Sequence, residues 1–203
     1  MALQAMDSSH VALVSLSLTQ DGFETYRADS NMVLGINISN LAKVMKLADN
    51  GDTITLQADN EASYLKIIFE NPKTERMTEF NLNLITIDSE HLAIPETDYQ
   101  ALVTVPSSDF SKLCKELYSI SETVSVNCNK SFVQFSVEGE VGSGSVRLNN
   151  NEGFSAKDSK MKGADGSTFL EVTEAVEQQF ALRYLNMFNK ASTMSPFTRL
   201  CMH

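Results

Sequence analysis

Leu41, Val44, Met45 and Ala48 fall at i, i+3, i+4 and i+7, and Phe110, Leu113, Cys114 and Leu117 repeat that spacing further along the chain. Four apolar residues so placed form a stripe on an α-helix and cannot share one face of a strand, whose side chains alternate. At roughly 100° per residue, Lys43 and Lys46 stand opposite the first stripe, and Lys112 and Lys115 opposite the second. Two matched helices with basic outer faces are therefore expected. A third helix is predicted to begin near Leu182, with Tyr184, Leu185 and Phe188 on its apolar side. Arg183 and Lys190, seven apart, are expected to point similarly.

The basic stripes stand out because the 203-residue chain carries a net charge of −10. Such an excess of acid argues against casual binding to nucleic acid, so positive charge gathered on one surface marks where function should be sought. The length suits one large domain or two modest ones, and no apolar run approaches the roughly 20 residues that span a bilayer. An intracellular protein without a membrane association is expected. Cys114, Cys128 and Cys201 cannot all pair and lack the close spacing of a zinc site, so reduced thiols are expected.

The repeat extends beyond the helices. Gly35 to Ile38 and Thr104 to Ser107 read as short extended segments carrying Ser or Asn/Asp cap-type residues. Alternating strands follow: Thr53 to Gln57 and Tyr64 to Phe69 in one copy, Thr123 to Val126 and Phe132 to Phe135 in the other. An α+β unit used twice, at about 70 residues per unit, exceeds solenoid repeat lengths and points to two similar domains. Their expected bounds are 1–83 and 101–203, joined by an acidic connector over 84–100. The Asn-, Gly-, Lys- and Asp-rich stretch from Asn149 to Ser167 is expected to be a mobile loop.

Four segments carry a resemblance: Met6-Asp7-Ser8-Ser9-His10-Val11, Gly22-Phe23-Glu24-Thr25-Tyr26-Arg27, Leu92-Ala93-Ile94-Pro95-Glu96 and Phe180-Ala181-Leu182-Arg183-Tyr184-Leu185-Asn186. In order and spacing the chain resembles the eukaryotic DNA sliding clamps. That resemblance implies three two-domain protomers in a closed ring, with antiparallel sheets outside and basic helices lining the hole. Duplex DNA is the implied ligand, met without sequence specificity, with Lys43, Lys46, Lys112, Lys115, Arg183 and Lys190 at DNA-facing positions. Diffuse attraction to phosphates suits a ring that slides. The competing reading of these residues is the ordinary solvated face of amphipathic helices.

The resemblance further implies a pocket for partner peptides, matching Met6, His10, Leu13, Leu92, Ile94 and Ala181. The alternative is that Leu92 and Ile94 pack onto the sheet. The implied homotrimer interface matches Arg76, Met77 and Phe80 on one edge and Val141, Ser143, Ser145 and Arg147 on the other. Lys130 matches the lysine that relatives carry as a ubiquitin acceptor. The implied partners are DNA polymerases, other replication and repair proteins with clamp-binding peptides, and a clamp-loader ATPase, in the nucleus and with no cofactor or metal. Against the family pattern, the chain is expected to lack an opening strand and helix and its final strands, and Ala93 stands where a glycine is expected. A fragment, an incomplete gene model or a divergent paralogue each accommodates this. The functional alternative is then a non-encircling peptide-binding fragment or regulatory paralogue. No enzyme is expected: His10, His91 and His203 are scattered, and Gly142-Ser143-Gly144 lacks the Lys-Ser/Thr of a phosphate loop.

Overall fold

Strict alternation in Tyr64-Leu65-Lys66-Ile67-Ile68-Phe69 sets the core of the first half, since Leu65, Ile67 and Phe69 point to one side and are all buried. The computed structural model describes residues 1–87, 92, 94, 97–151 and 167–203. They form two compact units, 1–93 and 94–203, and the boundary lies inside the connector expected over 84–100.

Unit 1 opens with a hairpin of β1 (Ala2–Met6) and β2 (Leu13–Ser17), in which Met6 pairs with Leu13. Helix α1 (Ile38–Met45) follows, capped by Asn37, whose Oδ1 accepts the Asn40 amide at 3.1 Å. Next comes an antiparallel meander of β3 (Thr53–Gln57), β4 (Tyr64–Asn71) and β5 (Arg76–Asn83), with β4 central. Leu41, Val44, Met45 and Ala48 of the α1 stripe pack on the cluster formed by Leu65, Ile67, Phe69 and Leu82. Gly35 is obligatory here: a Cβ at this position would sit 1.9 Å from the Ile85 carbonyl oxygen.

Unit 2 begins with β6 (Ala101–Pro106), α2 (Ser107–Tyr118) and the meander β7 (Thr123–Cys128), β8 (Phe132–Gly139) and β9 (Gly142–Asn149). Then follow β10 (Phe169–Val172), β11 (Val176–Ala181), α3 (Leu182–Phe188), a 3-10 turn over Asn189–Thr193 and β12 (Phe197–Met202). The sheets run β11-β7-β8-β9 and β10-β6-β12. Phe110, Leu113, Cys114 and Leu117 of α2 join Val124, Val126, Val133, Phe135 and Val137 in one core, each side chain contributing about 1.5–3 kcal/mol.

The helix-then-meander motif thus occurs twice, as the repeat implies, but with different depth: α2 buries its stripe, whereas no residue of α1 is fully buried. Two local expectations change. No strand forms over Gly35 to Asn37, and α2 has Pro106 rather than a side-chain cap at its start. The first amide of α2 is satisfied from afar, Ser107 N–H donating to the Pro196 carbonyl at 2.9 Å. Most of the segment expected to be a mobile loop, residues 152–166, lies outside the described residues; its ends are tied by Asn150, whose side chain both accepts from and donates to the Leu170 backbone.

All three thiols are reduced, with Cys114 and Cys128 buried. Burial pushes the Cys128 thiol up to about 11. Its neutral form is therefore favoured in the fold, and this contribution is intact below the ordinary thiol range and lost as pH rises through about 11. We expect urea stability to fall more steeply between about pH 9 and 11 in the wild type than in Cys128→Ala; equal slopes would show that Cys128 carries no such linkage.

Candidate nucleic-acid interface and docking surface

Each helix turns its cations away from its own core. Lys43 and Lys46 are exposed at the end of α1, where Lys43 also complements the negative C-terminal end of the helix dipole. Lys112 and Lys115 are exposed on α2. Lys112 Nζ lies 3.8 Å from Glu116, an open i,i+4 pair worth little in water. Arg183 is exposed on α3, its guanidinium carbon 4.7 Å from the Tyr184 ring centroid and its Nη2 donating to the Tyr184 hydroxyl at 3.0 Å. Lys190 is also exposed, but α3 ends at Phe188. Arg183 and Lys190 therefore do not share one α-helix; Lys190 lies in the 3-10 turn that prolongs it. Helix α3 packs beside α2, with Asn186 Nδ2 donating to the Cys114 carbonyl at 3.4 Å.

The residues expected around a peptide pocket fall in both units. In unit 1, Met6 and Leu13 are cross-strand partners, so both project from one face of the hairpin. Gln4, two residues from Met6, shares that face and grips the Leu92 backbone. Its Nε2 donates to the Leu92 carbonyl at 2.8 Å and its Oε1 accepts the Leu92 amide at 3.1 Å. Met6, Leu13 and Leu92 are thereby gathered at one end of β1. Leu92 stays 36% exposed and Ile94, in unit 2, 55% exposed, so neither is packed away as core. Ala181 is half-buried at the β11–α3 junction. His10 sits at positive φ in the β1–β2 turn. The Asp7-Ser8-Ser9-His10 run has a structural job there: the Asp7 carboxylate accepts the amides of Val11 and Ala12 at 2.8 and 2.7 Å. The largest groove of unit 1, about 620 Å³ between Leu34, Asn60 and Ile85, takes in none of the expected pocket residues.

The two expected interface segments each form a sheet edge, β5 beyond β4 and β9 beyond β8, and each strand has eight residues. Ser143, Ser145 and Arg147 alternate on the exposed face of β9, while Val141 falls in the preceding turn. Phe80 is directed inward, 6.1 Å from the Phe69 ring, so only its backbone is offered at the edge. Met77 is exposed, and Arg76 reaches Asp49 at 3.4 Å. Arg147 is fastened within its own sheet, its Nε and Nη2 donating to Gln134 Oε1 at 3.2 and 2.8 Å over the Phe132 ring. Lys130 is exposed in the β7–β8 turn, where Asn129 Oδ1 accepts the amides of Ser131 and Phe132.

Sequence reasoning missed the partners rather than the principals. The grips of Gln4 on Leu92, Gln134 on Arg147 and Tyr184 on Arg183 leave no periodic signal; only the i,i+2 spacing of Gln4 and Met6 hinted at a shared face. Among the described residues, no group of three or more His, Cys, Asp or Glu is placed to hold a metal. No helix there is long and apolar enough to cross a membrane.

Comparison with known proteins agrees in both halves. The family model described as proliferating cell nuclear antigen, N-terminal domain, matches residues 1–91, and the model for the C-terminal domain matches residues 93–203. A proliferating cell nuclear antigen from Chaetomium thermophilum is 42% identical over 201 residues, covering 99% of this chain and 75% of that protein.

Proposed function

The chain belongs to the proliferating cell nuclear antigen family and is a DNA sliding-clamp subunit, a processivity factor; from that premise we propose how its residues divide the work. Lys43, Lys46, Lys112, Lys115, Arg183 and Lys190 face the phosphates of an encircled duplex. The observation that carries this reading is the charge distribution: exposed cations recur on all three helices or their ends in a protein of net charge −10. Ammonium and guanidinium groups on flexible stems neutralise phosphates without reading bases, so the ring holds DNA without stopping on it.

The ring closes as a homotrimer when β5 of one protomer pairs with β9 of the next. Two exposed edges of equal length support this pairing, which would also remove a hazard of aggregation. Met6, His10, Leu13, Leu92, Ile94 and Ala181 receive the clamp-binding peptides of DNA polymerases and of repair proteins, an apolar docking in which a few anchors dominate. A loader ATPase opens the ring, Lys130 accepts ubiquitin, and the nucleus is the place of action. The protein works as a scaffold, with the chemistry residing in its partners.

The first test is the solution mass, by light scattering coupled to size exclusion. We expect one species at three times the 22.4 kDa protomer mass. A monomeric or polydisperse result would overturn encirclement and favour the non-encircling peptide-binding reading.

A further inference from the structure

Resting on the DNA-facing reading of Arg183, we infer that Tyr184 is a positioning residue for DNA binding, holding the Arg183 guanidinium against α3 in a fixed direction. Neighbouring residues on a helix diverge by about 100° and do not normally meet. Here they do: Arg183 Nη2 donates to the Tyr184 hydroxyl at 3.0 Å, and the guanidinium carbon lies 4.7 Å from the ring centroid. Tyr184 is half-buried and Arg183 exposed, so the ring is the anchor and the arginine stem folds back onto it.

The neutrality of this partner matters. Lys112 lies near the Glu116 carboxylate, which competes with phosphate for its charge. Among the described residues, Lys43, Lys46, Lys115 and Lys190 take part in no ion pair or ring contact and must be ordered when a phosphate arrives. Tyr184 restrains its cation without cancelling the charge. It occupies one of the five guanidinium N–H donors and leaves the others for a phosphate. Arg183 is thus a pre-oriented contact within a set of otherwise loose ones.

The experiment is a double-mutant cycle on the full chain, reading affinity for a fluorescein-labelled duplex by anisotropy at low salt. Tyr184→Phe keeps the ring and removes the acceptor; we expect about two- to fivefold weaker binding with unchanged melting temperature and circular dichroism. In an Arg183→Ala background the same substitution should change nothing. Arg183→Lys, which keeps the charge and loses the planar fork, should match the Tyr184→Phe loss and stands in for it should that variant misfold. Wild-type affinity in Tyr184→Phe or in Arg183→Lys, or an undiminished loss in the Arg183→Ala background, overturns the positioning role. If Arg183→Ala alone binds DNA as the wild type does, the DNA-facing reading of Arg183 fails, and this inference with it.

Discussion

Replacing Lys43, Lys46, Lys112 and Lys115 together by glutamine lowers duplex affinity by about two to three orders of magnitude near physiological salt. It also flattens the dependence of log affinity on log salt by about 3 to 4, because each phosphate contact contributes a slope of about 0.9 through counterion release. The fold should be untouched, since all four side chains are exposed and lie opposite the apolar stripes. Lys112 offers no exception: its 3.8 Å pair with Glu116 is solvent-exposed on both sides and yields readily to a phosphate. Lys73→Gln together with Lys130→Gln makes the control, removing exposed charge from strand turns. Salt titration of duplex binding and the diffusion of loaded rings on DNA provide the readouts. A slope unchanged by the four substitutions would mean that the helical faces are merely solvated and that DNA is held elsewhere.

Phe135→Ala is expected to destabilise unit 2 by about 3–5 kcal/mol, the cost of deleting a buried aromatic ring. Phe135 is 1% exposed and its ring lies 6.2 Å from that of Phe110, so it joins the middle of the β7-β8-β9 meander to α2. Whole-domain stabilities run only about 5–15 kcal/mol, so the loss is a large fraction of what holds Lys112 and Lys115 in place. Urea melts followed by circular dichroism measure it. Phe135→Leu, closer in volume, should cost much less. A loss below about 1 kcal/mol for the alanine variant would show that the helix and sheet are not coupled through this ring.

The parts legible in the sequence are those where one period rules. Alternation in Tyr64–Phe69 and Phe132–Phe135 marks strands that bury one face, and the i, i+3, i+4, i+7 stripes mark α1 and α2. Leu182 opens α3 where its apolar side predicts. Elements set by distant partners stayed hidden. Pro106 gives no hint that the start of α2 is capped by the Pro196 carbonyl, and β12 is short and of mixed polarity until β6 supplies its ladder. The site divides the same way. Exposed lysines declare themselves by angle on a helix. The amide and phenol that hold Leu92 and Arg183 act across 88 residues in one case and against helical geometry in the other, and periodicity encodes neither.

The grip of Gln4 on Leu92 also sets a timescale. A strand is released only when a row of ladder bonds breaks together, whereas at Leu92 two hydrogen bonds from one rotatable side chain close an excursion of 88 residues. Each such exposed bond is worth about 0.5–1.5 kcal/mol net, so a swing of χ1 at Gln4 costs far less than opening β5. The Leu92 amide therefore exchanges its hydrogen through a local event while the central strands wait for larger openings. A peptide arriving at Met6 and Leu13 meets a chain segment already free to lift and settle again, and need not wait for a sheet to part.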